Sequence, residues 1–294
     1  MKKILFSIII PTYNREEKLK RALNSVINQT YKEWEIIIID NNSKDGTKKM
    51  VKGFKDTKIK LFSIKNNGII AKSRNLGIKK SKGKYLAFLD SDDYWQLNKL
   101  SECYNFLKQN KKTKLIYHDM FVQRRKNQKL FKKISYLRKV KKPIKEDLII
   151  NGPAFPTSSV VVEKKIFKKI NLFNENKNLI AWEDYDAWLR LSQISGHFYE
   201  IKKTLGFLWV DSENTLNAKR QIKNIYSFKK KYLDKNFLKL TEWCNYSLMR
   251  SYLKEKNFDK SLKFLKNLKI EKYNLINKIK ILFFYISIKF RFSI

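Results

Sequence analysis

Tyr85-Leu86-Ala87-Phe88-Leu89-Asp90-Ser91-Asp92-Asp93 is the stretch that decides the fold. Five apolar residues run without a break into an acidic cluster. An uninterrupted run of this length suits a strand covered on both faces, as in a parallel sheet. In open α/β sheets, ligands bind beyond the carboxyl ends of such strands, which is where these carboxylates fall. The surrounding chain makes the cluster conspicuous: 65 Lys and Arg stand against 27 Asp and Glu, a net charge of +38.

Three more apolar runs precede it, Phe6 to Ile10, Glu35 to Ile39 and Lys60 to Ile64, with helical patterns between them. Arg15 to Asn28 sets Leu19, Ala22, Leu23, Val26 and Ile27 on one stripe, and Ile70 to Lys80 carries a second periodic face. The alternation predicts an α/β fold with a largely parallel sheet and helices on both faces. Thr12 to Asn14, Asp40 to Ser43, Asn66 to Gly68 and Asp90 to Asp93 then point polar groups at one crevice.

Later elements are less regular. Leu115 to Val122 and Ser158 to Val162 read as strands, Asp184 to Ser192 as a helix, and Phe198 to Val210 as one or two further strands. Arg124 to Lys145 reads as a basic exposed connection with local helix. Beyond about Thr215 the chain looks helical and Lys-rich, with a helical hairpin over Asn245 to Leu268. The expected organisation is residues 1–214 as a catalytic domain, divided into 1–99 and 100–214, and 215–294 as a basic helical extension.

The composition, 43% hydrophobic and 14% aromatic, excludes a solvated disordered chain. Its charge attracts polyanions without saying which: nucleic acid, anionic lipid or diphosphate-bearing substrates. Cys103 and Cys244 are far apart and lack metal-ligand spacing, which fits a reducing compartment. The N-terminal Met1-Lys2-Lys3 and the run to Ile10 read as a buried first strand, since Pro11, Asn14 and Arg15 to Lys18 end the run without a small-residue cleavage site. Ile281 to Ile288 falls well short of the ~20 apolar residues of a membrane span; it suits an interfacial segment or docking on the protein's own core.

Asp90-x-Asp92 is a hard-oxygen ligand set for Mg²⁺ or Mn²⁺, which commonly take one or two carboxylates plus phosphate oxygens. On an extended strand end the two would share one side, leaving Ser91 and Asp93 on the other, with Asp93 placed to cap a helix beginning near Leu97. The plain alternative is an acidic turn. Glu183-Asp184, inside Trp182-Glu183-Asp184-Tyr185-Asp186, is the second centre; its plain alternative is an acidic helix start favoured by the macrodipole. Trp182 is a candidate stacking platform for a sugar ring, and Trp188, at helical spacing to Leu191, a core residue.

Ser7-Ile8-Ile9-Ile10-Pro11-Thr12-Tyr13-Asn14, Ile37 to Thr47, Asn67-Gly68 with Ala71 to Gly77, Gly83 to Asp93 and Trp182 to Asp186 occur in an order and spacing that resembles the family 2 glycosyltransferases. The resemblance covers about the first two thirds of the chain. It implies a GT-A fold and an inverting, metal-dependent transfer of a sugar from a nucleotide-diphospho-sugar, UDP-type favoured, to a saccharide hydroxyl. The acceptor expected for this group is lipid-linked, and the location is the cytoplasmic face of the membrane, held peripherally.

By the same resemblance, Pro11, Thr12, Tyr13, Asp40, Arg74, Asp90 and Ser91 bind the nucleotide sugar and Asp92 with Asp90 holds the divalent cation. Asp184 is the base, Glu183 assists it, and Trp182 meets the acceptor. Each has a bland alternative: Tyr13 as a packing residue, Asp40 as part of a turn with Asn42 and Asp45, Arg74 as a solvated helix residue. Many relatives place a His near the position of Asp211; whether Asp211 substitutes for it is left open. Two rival readings remain, a nucleic-acid-binding module suggested by the charge and an inactive glycosyltransferase-like partner. No nucleic-acid motif supports the first, and the intact Asp90, Asp92 and Asp184 oppose the second.

Overall fold

The computed structural model describes residues 5–126, 129–135, 138–210, 217–233 and 240–291. The chain divides into two compact units, one of the described residues within Met1–Ile144 and Ala154–Ser212, the other of those within Lys145–Pro153 and Glu213–Ile294.

The first unit is built on one mixed sheet. Strands β1 (Phe6–Thr12), β2 (Trp34–Asp40), β3 (Ile59–Ser63) and β4 (Tyr85–Phe88) are parallel, in the order β3-β2-β1-β4. Beyond β4 the sheet continues through β8 (Val161–Glu163), β6 (Leu115–Lys126), β9 (Phe198–Val210) and the two-residue β5 (Tyr94–Trp95). β8 is antiparallel to both β4 and β6, β9 is parallel to β6, and β5 is antiparallel to β9.

The apolar runs explain the layering. β1 and β2 are buried along their whole length, because helices cover both faces. Ile8 and Ile10 share a core with Leu19, Ala22, Leu23 and Val26 of α1 (Glu16–Ile27) and with Leu100 and Cys103 of α4 (Lys99–Gln109). Ile9 and Ile39 face the other way, against α3 (Ile70–Lys80). There a Cβ on Gly77 would come within 2.6 Å of Ile9, so glycine is what lets α3 lie this close to the sheet. Below it, Phe88 packs with Phe167, Phe173 and Trp188 at centroid distances of 5.1 to 6.3 Å, which puts Trp188 in the core as expected.

Three local expectations are corrected. Arg124 to Lys145 is not mainly a loop: β6 runs to Lys126 and β7 (Lys129–Ser135) returns antiparallel along it, from Phe121 opposite Ile134 to Lys126 opposite Lys129. Lysines interrupt the apolar alternation there, while the main-chain ladder of β6, itself held by β9, supplies the pairing. Thr157–Ser159 is a 3-10 turn and the strand begins only at Val161. Ser159 donates its hydroxyl to the Pro156 carbonyl, the local competition by which serine diverts a backbone from a ladder. Asp93 caps no helix, since α4 follows Asn98 without a side-chain cap; the Asp93 carboxylate instead accepts the Trp209 N–H at 2.9 Å.

The second unit is helical. Its described elements include most of α5 (Ile144–Asn151), then α8 (Ala218–Tyr232), α9 (Glu242–Lys254), α10 (Phe258–Lys266) and α11 (Leu275–Lys289). α9 and α10 form the expected hairpin, with Lys256 in a left-handed conformation and the Asn257 side chain accepting the Lys260 N–H at the start of α10. Among the described residues, no helix is long and apolar enough to cross a membrane.

Candidate active site

Pro11 and Thr12 end β1 and Tyr13 follows it; Asn41 follows β2; Asn66 and Gly68 follow β3; Asp90, Ser91 and Asp92 follow β4. Together with Arg15, Ile70 and Ser73 they line one cleft of about 350 Å³ at the carboxyl ends of the parallel strands. Its walls are braced by side chain to main chain bonds. Asn41 Oδ1 accepts the Asn66 N–H at 2.8 Å, and Asn66 accepts from Gly68 N–H and donates to Ser73 Oγ, each at 2.8 Å. Asn67 and Gly68 both adopt positive φ, which tightens the turn into α3. Tyr13 lines the cleft and is 52% exposed, so it is not a buried packing residue.

Asp40 is not among the residues that line this cleft. It is fully buried, accepts from both the N–H and the hydroxyl of Ser43, and lies 3.5 Å from Lys48 Nζ. It organises the 41–46 turn, while its neighbour Asn41 reaches the cleft wall.

The acidic cluster turns sharply after β4, with the Asp93 N–H donating to the Asp90 carbonyl at 3.0 Å. The alternation expected of an extended strand end therefore does not hold, and the turn itself brings Asp90, Ser91 and Asp92 to the same cleft. Arg21 of α1 donates to the Asp92 carbonyl at 2.6 Å, its guanidinium 4.5 Å from the ring centres of both Tyr94 and Trp209. Ser158 Oγ accepts the Asp90 N–H at 3.0 Å, and the Ser158 carbonyl accepts from Trp95 Nε1 and Lys99 Nζ. Burial and then the nearby Asp90 charge raise the Asp92 carboxyl above its usual range.

These carboxylates fit a divalent cation. Two hard-oxygen donors converge on one cleft, and their mutual repulsion, felt in the raised Asp92, is what a cation relieves. Among the described residues no group of three or more His, Cys, Asp or Glu converges on a metal position, so phosphate oxygens would complete the shell. His118 is buried and held neutral, its affinity for a proton lowered first by burial and then by the Lys99 charge; it belongs to the core. Asp211 lies outside the described residues.

Arg74 connects the cluster to the second acidic centre. Its guanidinium, 4% exposed, donates from Nη2 to Asp90 at 2.7 Å and from Nη1 to Glu183 at 2.5 Å. Burial disfavours its charge, but Asp90, Glu183 and Asp184 outweigh that and raise its pKa further. Burial likewise pushes the Glu183 carboxyl up, against the pull of Arg74. Glu183 opens α7 (Glu183–Ile194), and Asp184 beside it accepts the Thr157 hydroxyl at 2.6 Å. Trp182 is 7% exposed and edge-on to Tyr185, which leaves little ring face for a sugar to stack on.

Thr157, Ser158 and Arg21 are site residues that sequence reading missed. The only local signal for the first two was a run of hydroxyls after Pro156, at a point read as a strand. Nothing about Arg21 in the sequence distinguishes it from the other basic residues of α1.

The model of the family described as Glycosyl transferase family 2 matches residues 7–170. The chain belongs to this family. It is a glycosyltransferase with the GT-A fold. The Escherichia coli UDP-Glc:alpha-D-GlcNAc-diphosphoundecaprenol beta-1,3-glucosyltransferase WfgD is 43% identical over 96 residues, 33% of this chain and 38% of WfgD. Staphylococcus aureus TarS 1-349 in complex with UDP-GlcNAc superposes with a TM-score of 0.62 at 18% identity, covering 97% of this chain and 81% of that one. The mannosyltransferase PcManGT from Pyrobaculum calidifontis, in complex with GDP-Man and Mn²⁺, superposes with a TM-score of 0.60 at 14% identity, covering 97% and 80%.

Proposed function

We propose that this family 2 glycosyltransferase inverts configuration and depends on a divalent metal. It moves one sugar from a nucleotide-diphospho-sugar, UDP-type favoured, to a hydroxyl of a lipid-linked saccharide in bacterial glycan biosynthesis, at the cytoplasmic face of the membrane. One observation carries the reading: the cleft at the strand ends has Asp90 and Asp92 in its wall, and Arg74 ties that wall to Glu183-Asp184. WfgD, whose name gives a UDP-Glc donor and a diphosphoundecaprenol-linked acceptor, and the UDP-GlcNAc and Mn²⁺ complexes of the structural neighbours support the donor, acceptor and metal parts.

The residues divide the work. Pro11, Thr12 and Tyr13 bind the nucleoside, with Tyr13 offering its ring to the base. Asp92 and Asp90 would hold Mn²⁺ or Mg²⁺, which offsets the negative charge of the departing diphosphate. Asp184 takes the proton of the acceptor hydroxyl as its oxygen attacks the anomeric carbon opposite the bond to the diphosphate. Thr157 orients Asp184 by donating its hydroxyl to one of the carboxylate oxygens. Arg74 pairs with both Asp90 and Glu183 and so sets one positive charge between the two acidic centres.

A panel of nucleotide sugars, tested for slow donor hydrolysis by the purified protein with Mn²⁺, Mg²⁺ or EDTA, checks this. Metal-dependent release from one donor supports the reading and names the sugar; no release from any donor, with salt-sensitive DNA binding instead, would overturn it.

A further inference from the structure

Helix α11 carries two apolar faces: among the described residues one is packed and the other is exposed. Ile281 and Ile288 are buried, and Phe284 lies edge-on to Tyr246 of α9 at 6.2 Å. Leu275, Ile276, Ile279, Leu282 and Ile286 are all exposed, between 38% and 74%. At 100° per residue these five fall within an arc of about 120° on the side opposite Ile281 and Ile288. Such a stripe is as wide as the core-facing stripe of an ordinary surface helix, yet it is turned to solvent.

The edges of the stripe are basic. On the same wheel Lys278 and Lys289 border one side and Lys280 the other, all exposed. Phe290, 73% exposed, extends the apolar strip past the last turn. An apolar strip between rows of lysine is the arrangement that lies in the plane of a lipid surface, with the side chains among the acyl chains and the ammonium groups at the phosphates. Fifteen residues of helix span about 22 Å, short of the ~30 Å hydrocarbon core, so α11 is suited to lying on a bilayer and not to crossing it.

We infer that α11 is a membrane-docking helix, which seats Leu275, Ile279, Leu282 and Ile286 in an anionic lipid surface through the stripe its fold leaves open. A second copy of the chain fits less well, because an isologous contact would set the bordering lysines against each other in a protein of net charge +38. The inference deepens the membrane placement proposed above, on which it rests, and is independent of the sugar and the metal.

Co-sedimentation of the full chain with vesicles of equal phosphatidylglycerol and phosphatidylcholine, and with phosphatidylcholine alone, tests it. The wild type is expected to bind the anionic vesicles and to release as salt rises. Combined Ile279→Ser, Leu282→Ser and Ile286→Ser should weaken binding by at least roughly tenfold, and Lys278→Glu with Lys280→Glu and Lys289→Glu should do likewise. Unchanged helical content and donor hydrolysis in solution would show that both variants are folded. Vesicle binding by the serine variant equal to wild type would overturn the inference, as would a wild-type dimer that ignores vesicles and falls to monomer in that variant. Vesicle binding lost as expected, in a protein that hydrolyses no donor, would uphold α11 while sinking the enzymatic reading.

Discussion

Arg74 donates to Glu183 at 2.5 Å across 109 positions of sequence, with both side chains about 95% buried. The same guanidinium holds Asp90, so one residue of α3 fixes the carboxylate at the end of β4 relative to the start of α7. In a chain whose basic residues mostly face water, this arginine is spent inside the fold.

Arg74→Met removes the only cation bonded to Glu183 among the described residues and leaves that carboxylate buried without compensation. Stability should fall by about 3 kcal/mol, read by urea unfolding, because an unpaired buried charge costs more than its pair returned. Adding Glu183→Leu should restore much of the stability and none of the glycosyl transfer. Recovery of both would make the pair a packing device only.

Thr157→Val should lower the rate of transfer roughly tenfold at neutral pH and leave donor affinity unchanged. The Thr157 hydroxyl holds one Asp184 oxygen in place, so its loss leaves the carboxylate free to turn away from the acceptor. A rate of transfer equal to wild type in folded Thr157→Val would remove Thr157 from the account.

Arg21→Met should weaken metal-dependent donor binding about tenfold with turnover at saturation nearly unchanged, since Arg21 bonds the Asp92 carbonyl and touches no reacting atom. Arg21→Lys should not rescue it: an ammonium cannot lie flat between Tyr94 and Trp209. Calorimetric titration of UDP with Mn²⁺ reads both variants, and full affinity in Arg21→Met would sink the idea.

Far from the cleft, Glu35 makes a pH-dependent contribution to stability. Burial alone would raise its pKa; hydrogen bonds from Lys60, Ser7 and the Lys82 N–H, with the Lys60 charge, outweigh burial and hold it below the ordinary value. A folded pKa below the unfolded one means stability that is complete above the unfolded carboxyl pKa, about 4.3, and lost as pH falls through the folded value. Glu35→Gln should therefore cost about 2 kcal/mol at pH 7 and progressively less below about pH 4. A cost that is constant from pH 7 to pH 3 would contradict this.

The parallel half of the sheet was legible because local pattern and tertiary role agree. Ile8-Ile9-Ile10 and Ile36 to Ile39 are apolar on both faces because both faces are covered, and Ile70 to Lys80 is the helix its spacing describes. The acidic segments were legible as chemistry but not as geometry. That Asp90 and Glu183 share Arg74 depends on a contact between distant parts of the chain, and no local spacing records it. The β6–β7 hairpin escaped for the opposite reason: main-chain pairing imposes a strand on a lysine-rich sequence that does not advertise one. The resemblance sets Asp40 at the nucleotide; in the fold it is buried and accepts from Ser43 within its own turn, a local contact that no spacing records.

The account's central claim is that the two acidic centres act on different ends of one transfer. It is tested most directly by comparing UDP binding with Mn²⁺ and sugar transfer in Asp184→Asn, using the donor that the wild type hydrolyses. The account predicts binding within about twofold of wild type and transfer reduced by a factor on the order of 10³, whereas Asp92→Asn loses metal-dependent binding itself. Equal loss of binding and transfer in folded Asp184→Asn, or transfer that survives the substitution, would contradict it.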